Sequence, residues 1–163
     1  MKKHGLSVLW LSLALGCMPW EVEHSVTIEA PSERVWEILV DLPNYKSWNS
    51  YSPRAKGSID EGAIVTIDAQ LGEEVRIVDN RVTRVEPGSV LCWHSMNWFE
   101  SLARGTRCRF LEPAGPQRTL FRHYEIMEGP LAWLIETIYR PRIEEGLMQM
   151  NEDLKRAAEG SGP

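Results

Sequence analysis

The spacing of apolar residues changes once along this chain, and that change limits the fold more than any other feature. Between residues 21 and 128, apolar side chains mostly alternate with polar ones, which is typical of strands with one buried face. After Gly129 and Pro130, apolar residues recur every three or four positions as far as Leu154, as in an amphipathic helix. The sequence therefore predicts a run of strands followed by one long C-terminal helix.

Turn signals rich in Gly and Pro separate the predicted strands. The first strand covers Glu21–Glu29, and two short helices follow it before residue 49. The later strands are predicted at residues 63–70, 73–85, 89–95, 106–112 and 118–128, with a short edge strand at 54–59. Pro141 lies inside the long helix and is expected to kink or split it.

Length, charge and motifs narrow the fold class and the partners. The 163 residues suffice for a single domain, which we place at residues 20–159, with a disordered tail at 160–163. A net charge of −5 and the lack of a Gly-rich phosphate loop argue against nucleic acids and nucleotides. No Cys-x-x-Cys pair or His/Cys cluster occurs, so neither a metal nor a cofactor is expected. Antiparallel strands covered by one long helix indicate an α+β fold.

The first 17 residues differ from the rest of the chain. Lys2 and Lys3 precede an apolar run from Leu6 to Leu15, which is typical of an export signal. The stretch that ends at Cys17 resembles a bacterial lipoprotein cleavage box, which implies acylation of Cys17 and membrane anchoring. Two alternatives stay open: an ordinary signal peptide, or a true start at Met18, in which case the protein is cytoplasmic.

Two further cysteines lie symmetrically about the connection near Glu100. In an antiparallel pair of strands, Cys92 and Cys108 would face each other closely enough for a disulfide. The alternative is a pair of small buried thiols.

Several segments together resemble one known superfamily. They are "APSERVWEILVDLPNYKSWN" (30–49), "LCWHS" (91–95), "RTLFRHYEIMEG" (118–129) and "IEEGLMQMNEDLKRAAE" (143–159). This ordered set resembles the START-like, or SRPBCC, superfamily, also called the polyketide cyclase/dehydrase and lipid-transport group. The resemblance implies a helix-grip fold: a curved antiparallel sheet of six to seven strands around the long C-terminal helix, with two short helices after the first strand.

The resemblance also implies a function. Such a domain holds a small hydrophobic ligand, such as a lipid, an isoprenoid or an aromatic polyketide, in an internal cavity of roughly 300–1,000 Å³. The second hypothesis is a cyclase, aromatase or dehydratase. A third is a protein-interaction module, for which the surface pattern gives little support. In this fold Trp36 is expected in the core, and Tyr45 and Trp48 at the rim of the cavity.

The strand at 118–128 carries the candidate chemistry. Alternation places Phe121, His123 and Glu125 on one face, pointing inward with the phenylalanine. His123 and Glu125 would serve as a general acid/base pair or would bind a polar head group. The alternative is a buried pair that only holds the sheet in register. His24 on the first strand also points inward in this interpretation.

Other aromatic and cationic residues complete the candidate set. Trp93, Phe110 and Trp133 are expected to line an apolar pocket, with plain core as the alternative for the two tryptophans. Trp98 and Phe99 lie in a predicted loop at 96–105 and suggest pocket lining, a lid or a membrane-touching tip. Three arginines are expected on a solvated strand face, with a cavity position suited to an acidic ligand as the alternative: Arg104, Arg107 and Arg109.

Overall fold

The protein forms one seven-stranded antiparallel sheet and three α-helices in a computed structural model that describes residues 19–97 and 101–160. The strands are β1 (Trp20–Ile28), β2 (Ala55–Gly57), β3 (Ile64–Leu71), β4 (Glu74–Glu86), β5 (Val90–Met96), β6 (Arg104–Gly115) and β7 (Arg118–Glu128). The helices are α1 (Ser32–Val40), α2 (Tyr45–Trp48) and α3 (Ala132–Glu159), with a 3-10 turn at Leu42–Asn44.

The sheet order is β1-β7-β6-β5-β4-β3-β2, so the first strand pairs with the last. Alternating burial along β1 and β7 matches the alternating sequence, because one face of each strand packs under α3. The predicted α+β helix-grip fold, a curved sheet around a long C-terminal helix, is confirmed.

Helix α3 runs without a break from Ala132 to Glu159 and packs against β1, β7 and β3. The expected split at Pro141 is wrong. Pro141 lies on the exposed side of the helix, where solvent can hydrate the carbonyl group that lacks its N–H partner. Gly160 ends the helix in the left-handed conformation, with a φ of 72°.

The buried core lies between the concave face of the sheet and the second half of α3. The helix contributes Ile143, Leu147, Met150, Leu154 and Ala158. Helix α1 packs beside α3 and over the ends of β6 and β7, and buries Val35 and Leu39. The core is therefore a two-layer arrangement of sheet and helix.

Cys92 and Cys108 are directly opposite in the pairing of β5 with β6, and their sulfur atoms are joined at 2.08 Å. Their neighbours Trp93 and Arg107 point toward α3, so the disulfide lies on the other face of the sheet. No helix in the described ranges is long and apolar enough to cross a membrane. The predicted leader and Cys17 lie outside the described residues.

Candidate functional site

Four ionisable side chains are buried on the concave face of the sheet. Arg107 and Arg109 belong to β6, His123 and Glu125 belong to β7, and each is 8% exposed or less. The strand register places Arg107 opposite Glu125 and Arg109 opposite His123. We call these four residues the interior cluster.

The position of the two arginines differs from the expected solvated face. On β6 the buried residues alternate and include Leu111, so Arg107 and Arg109 share the inward face with that leucine. Arg104 has the opposite parity and is exposed. For Arg107 and Arg109, the structure matches the alternative expectation, in which the arginines point into the interior.

Arg107 and Glu125 form a buried ion pair. The Nε atom of Arg107 donates to Oε2 of Glu125 at 2.7 Å, and its Nη2 atom makes a second contact with the same oxygen. Nη2 also donates to the hydroxyl oxygen of Tyr51 at 3.3 Å. Burial alone would lower the pKa of Arg107, but the charges of Glu125 and Tyr51 and the hydrogen bonds to both together outweigh it, and the pKa is raised.

His123 is held in one tautomer by Asn151. The Nδ2 atom of Asn151 donates to the carbonyl oxygen of His24 at 3.2 Å, which turns its Oδ1 atom toward Nδ1 of His123 at 3.0 Å. An amide oxygen only accepts, so Nδ1 carries the ring proton. The other ring nitrogen, Nε2, is buried and has no hydrogen-bond partner.

The charge state of His123 follows from its surroundings. Burial lowers its pKa well below the ordinary value, and the positive charges of Arg109 and Arg107 lower it further. The imidazole is therefore neutral at pH 7, with a free lone pair on Nε2.

Arg109 has no ion-pair partner among the residues that the structure describes. Its guanidinium lies over the ring of Trp93, with Cζ 3.7 Å from the ring centroid. Both Nε and Nη1 are buried without a hydrogen-bond partner. Burial lowers the pKa of Arg109 to about 9, so the group is still charged at pH 7.

Tyrosines from the segment between α1 and β2 cover the cluster. Tyr45 is 1% exposed, and its hydroxyl donates to the carbonyl of Leu39 at 2.7 Å. Burial raises the pKa of Tyr45 to about 12. Tyr45 is thus in the core and differs from its expected place at the rim, because α2 turns its ring inward. Trp48 packs edge-on against that ring and is half-buried.

The remaining aromatic candidates divide between the two faces. Trp93 and Phe121 are buried with the cluster. Phe110 differs from the prediction: it lies on the other face of β6, beneath Arg122, because its parity is that of Cys108. Trp133 is 53% exposed, because the first turns of α3 have no sheet beneath that side.

Trp36 and His24 lie near the core, whereas two further aromatic candidates fall outside the part of the chain that the structure describes. Trp36, which was expected in the core, is half-buried and packs against the core from outside. His24 is half-buried and lies opposite His123 in the sheet. Trp98 and Phe99 lie outside the described residues.

Two surface clefts flank the segment that carries Tyr51. One, of about 770 Å³, lies between α1, α2 and α3 and includes Trp48 and Asp153. The other, of about 200 Å³, includes Tyr51 and Gly146. Ser50 lines both clefts, so the chain around residue 50 forms the wall between them.

Gly146 lets Tyr51 lie flat against α3. A Cβ atom at this position would be 2.1 Å from Cε2 of the tyrosine ring, far inside contact distance. The ring closes the space between the smaller cleft and Arg107, to which its hydroxyl is bonded. Tyr51 therefore separates the interior cluster from the surface.

Four important residues were not assigned to the site from the sequence. For Arg107 and Arg109 the sequence could have indicated an inward position, because they alternate along β6 in step with the apolar Leu111. Tyr51 and Asn151 carried none, since their roles depend on how α3 and the segment before β2 meet the sheet. Within the described ranges, no group of His, Cys, Asp and Glu side chains could hold a metal ion.

A curved antiparallel sheet that grips one long helix, with polar side chains enclosed between them, defines a helix-grip domain with an interior site. The chain belongs to the family described as polyketide cyclase / dehydrase and lipid transport, whose sequence model matches residues 19–159. No curated protein matches the chain.

Solved structures support the same fold. A point mutant of norcoclaurine synthase from Thalictrum flavum, in complex with a transition-state analogue, has a TM-score of 0.69 and 11% identity, covering 90% of this chain and 98% of that one. The ZhuI aromatase/cyclase from Streptomyces sp. R1128 has a TM-score of 0.62 and 15% identity, covering 90% and 100%. A protein from Thermus thermophilus has a TM-score of 0.70 and 15% identity, covering 88% and 100%.

Proposed function

We propose that this protein binds and carries a small, mainly apolar ligand between the sheet and α3. The observation that carries the proposal is the interior cluster, in which three buried polar atoms, Nε and Nη1 of Arg109 and Nε2 of His123, have no hydrogen-bond partner within residues 19–97 and 101–160. Buried aromatic side chains lie beside these atoms, namely Phe121 next to His123 and Trp93 under Arg109. An apolar enclosure with a few convergent polar groups is typical of small-molecule sites.

A ligand would reach the interior past Tyr51. The chain from Trp48 to Pro53 lies between two surface clefts, so it has free space on both sides. Displacement of this short segment would expose Arg107 and would break the hydrogen bond from the backbone N–H of Gln70 on β3 to the carbonyl of Tyr51. Short segments beside open space are the parts of a fold that open locally.

The second candidate function is an enzyme of the cyclase, aromatase or dehydratase type. One observation favours it: His123 is neutral and offers a free lone pair at Nε2, as a general base requires. Glu125 is bonded to Arg107 instead of His123, so the base in this scheme is the histidine alone. A His123→Ala variant that keeps ligand binding but loses turnover would support the enzyme.

Binding is tested with an apolar fluorescent probe, 1-aminoanthracene, and two variants of adjacent residues on α3. Leu147 is fully buried, whereas Met148 is 46% exposed. We expect Leu147→Trp to fill the interior and to weaken probe binding at least tenfold, while Met148→Trp binds like the wild type. Circular dichroism and melting temperature check that both variants fold. Equal probe binding by both folded variants would contradict an interior site.

Export with anchoring at Cys17 is also part of the proposal. The positive and apolar leader supports it. Intact mass spectrometry of the full-length chain from a bacterial host tests it. A diacylglyceryl adduct on a chain that begins at Cys17 would support anchoring. An unmodified chain beginning at Met1 or Met18 would contradict it.

A further inference from the structure

We propose that Arg109 and His123 form a subsite for an acidic hydroxyl group of the ligand, such as that of a phenol or an enol. The inference rests on the proposed function, since it names the chemistry of a ligand bound in the same interior. It assigns the ligand's polar end to two side chains that face each other across β6 and β7.

The comparison between the two inward arginines gives the first argument. Arg107 is bonded to Glu125 and Tyr51, so its buried charge is compensated. Arg109, two residues further along the same strand, is also buried; its guanidinium lies over the face of Trp93, and its Nε and Nη1 atoms have no hydrogen-bond partner among the described residues. A buried charge without a hydrogen-bonded partner destabilises a fold. An unsatisfied group of this kind therefore indicates a role other than stability, such as ligand binding.

Tyr45 and Glu125 act on Arg109 through their charges, but the hydrogen bonds that they form go to other residues. The Tyr45 hydroxyl donates to the carbonyl of Leu39, and the Glu125 carboxylate holds Arg107. Among the described residues, no acceptor lies within hydrogen-bond distance of Nε or Nη1 of Arg109. The missing acceptor is therefore assigned to the ligand.

The ligand must supply an acceptor to Arg109, and His123 adds a second requirement. Because Nδ1 donates to Asn151, the free Nε2 atom can only accept a hydrogen bond. A carboxylate or an ether would satisfy Arg109 but would leave Nε2 unpartnered. A hydroxyl satisfies both side chains, since its oxygen accepts from the guanidinium and its hydrogen is donated to Nε2. An acidic hydroxyl is favoured because the nearby cation strengthens its donation.

The first test needs no ligand. Replacement of Arg109 by Met removes an uncompensated buried charge and keeps the apolar stem, so we expect Arg109→Met to raise the melting temperature. Arg107→Met is the matched control on the same strand, and it leaves Glu125 buried without its partner. We expect that control to lower the melting temperature. A melting temperature of Arg109→Met as low as that of Arg107→Met would overturn the proposal.

The second test compares 2-naphthol with 2-methylnaphthalene by isothermal titration against the full-length protein. The two probes match in shape, and only the first has a hydroxyl. We expect the wild type to prefer 2-naphthol roughly tenfold to a hundredfold, because a hydrogen bond to a charged group is gained. Arg109→Met and His123→Leu should each reduce the preference to below about threefold, because each removes one of the two hydrogen-bond partners.

The outcomes separate this proposal from the proposed function. Equal affinity of the wild type for both probes would overturn the hydroxyl subsite while leaving ligand binding intact. Failure of both probes to bind would contradict an interior that accepts apolar molecules of this size. In that case the melting temperatures of the two arginine variants still decide whether Arg109 has a structural role.

Discussion

Individual residues show how strongly the local surroundings control the pKa of a buried group in this interior. Arg107 and Arg109 have the same side chain, the same strand and the same face, yet the pKa of the first is raised and that of the second is lowered. The difference lies in direct bonding: Glu125 and Tyr51 both bond to Arg107, whereas they act on Arg109 only through their charges. Burial dominates wherever a counter-charge is missing.

His123 makes the free energy of unfolding depend on pH. Its folded-state pKa is lowered by burial, so below about pH 6.5 the unfolded chain binds a proton that the folded protein does not. Stability is lost as the pH falls through this window, by up to about 1.4 kcal/mol per pH unit. We expect urea titrations from pH 7.5 to 5 to show this slope in the wild type and its loss in His123→Leu. Parallel pH profiles of the two proteins would contradict the assignment.

At the scale of elements, contacts of α3 and of β5 with their neighbours hold the site in place. Gly146 on α3 and Tyr51 before β2 meet so closely that neither has room for an extra atom. The disulfide joins β5 to β6 directly beside Trp93 and Arg107. Both contacts can be tested separately from the ligand.

Gly146→Ala should destabilise the protein even though alanine favours helices. An added methyl group would collide with the Tyr51 ring, which is tied to Arg107. We expect a loss of about 1–3 kcal/mol in the free energy of unfolding, measured by denaturant titration. In the control, Gly105→Ala, the added Cβ meets the flexible end of Met127 at 3.0 Å and lies at ordinary contact distance from Glu125 and Ser95, 3.4 Å and 3.7 Å away, so its effect should be smaller. A stabilised Gly146→Ala variant would show that the ring moves freely.

Removal of the disulfide should weaken the sheet. The bonded cysteines are 16 residues apart, and closure of a loop of this length contributes about 3 kcal/mol. We expect the double variant Cys92→Ala and Cys108→Ala to lose about 2–3 kcal/mol in the free energy of unfolding. A reductant should lower the melting temperature of the wild type and leave that of the double variant unchanged. A wild type insensitive to reductant after full reduction would contradict this prediction.

At the scale of the whole molecule, the periodicity of apolar residues predicts the architecture and the inward face of β7, but not the contacts that the inward residues make. The alternation in β7 was enough to place Phe121, His123 and Glu125 inward, and the change of period after Gly129 predicted α3. Both signals are local, because a strand or helix with one buried face carries its own pattern.

The rest depends on how distant segments meet. Phe110 was expected in the pocket but lies on the other face, because Phe110 and Leu111 are adjacent on β6 and only one of two adjacent apolar residues can point inward. Trp133 is apolar yet 53% exposed, although its neighbour Ala132 is buried and accepts a hydrogen bond from Trp20 of β1. The bond between Asn151 and His123 joins residues 28 positions apart, and its existence follows from packing alone.

The interior site is tested most directly by native mass spectrometry of the full-length protein purified under mild conditions, followed by solvent extraction. We predict a 1:1 complex with a small molecule that is mainly apolar and bears an acidic hydroxyl group. Arg109→Met from the same host should carry less of this molecule. A wild type with the mass of the bare chain, which also fails to bind 1-aminoanthracene or 2-naphthol, would contradict the account.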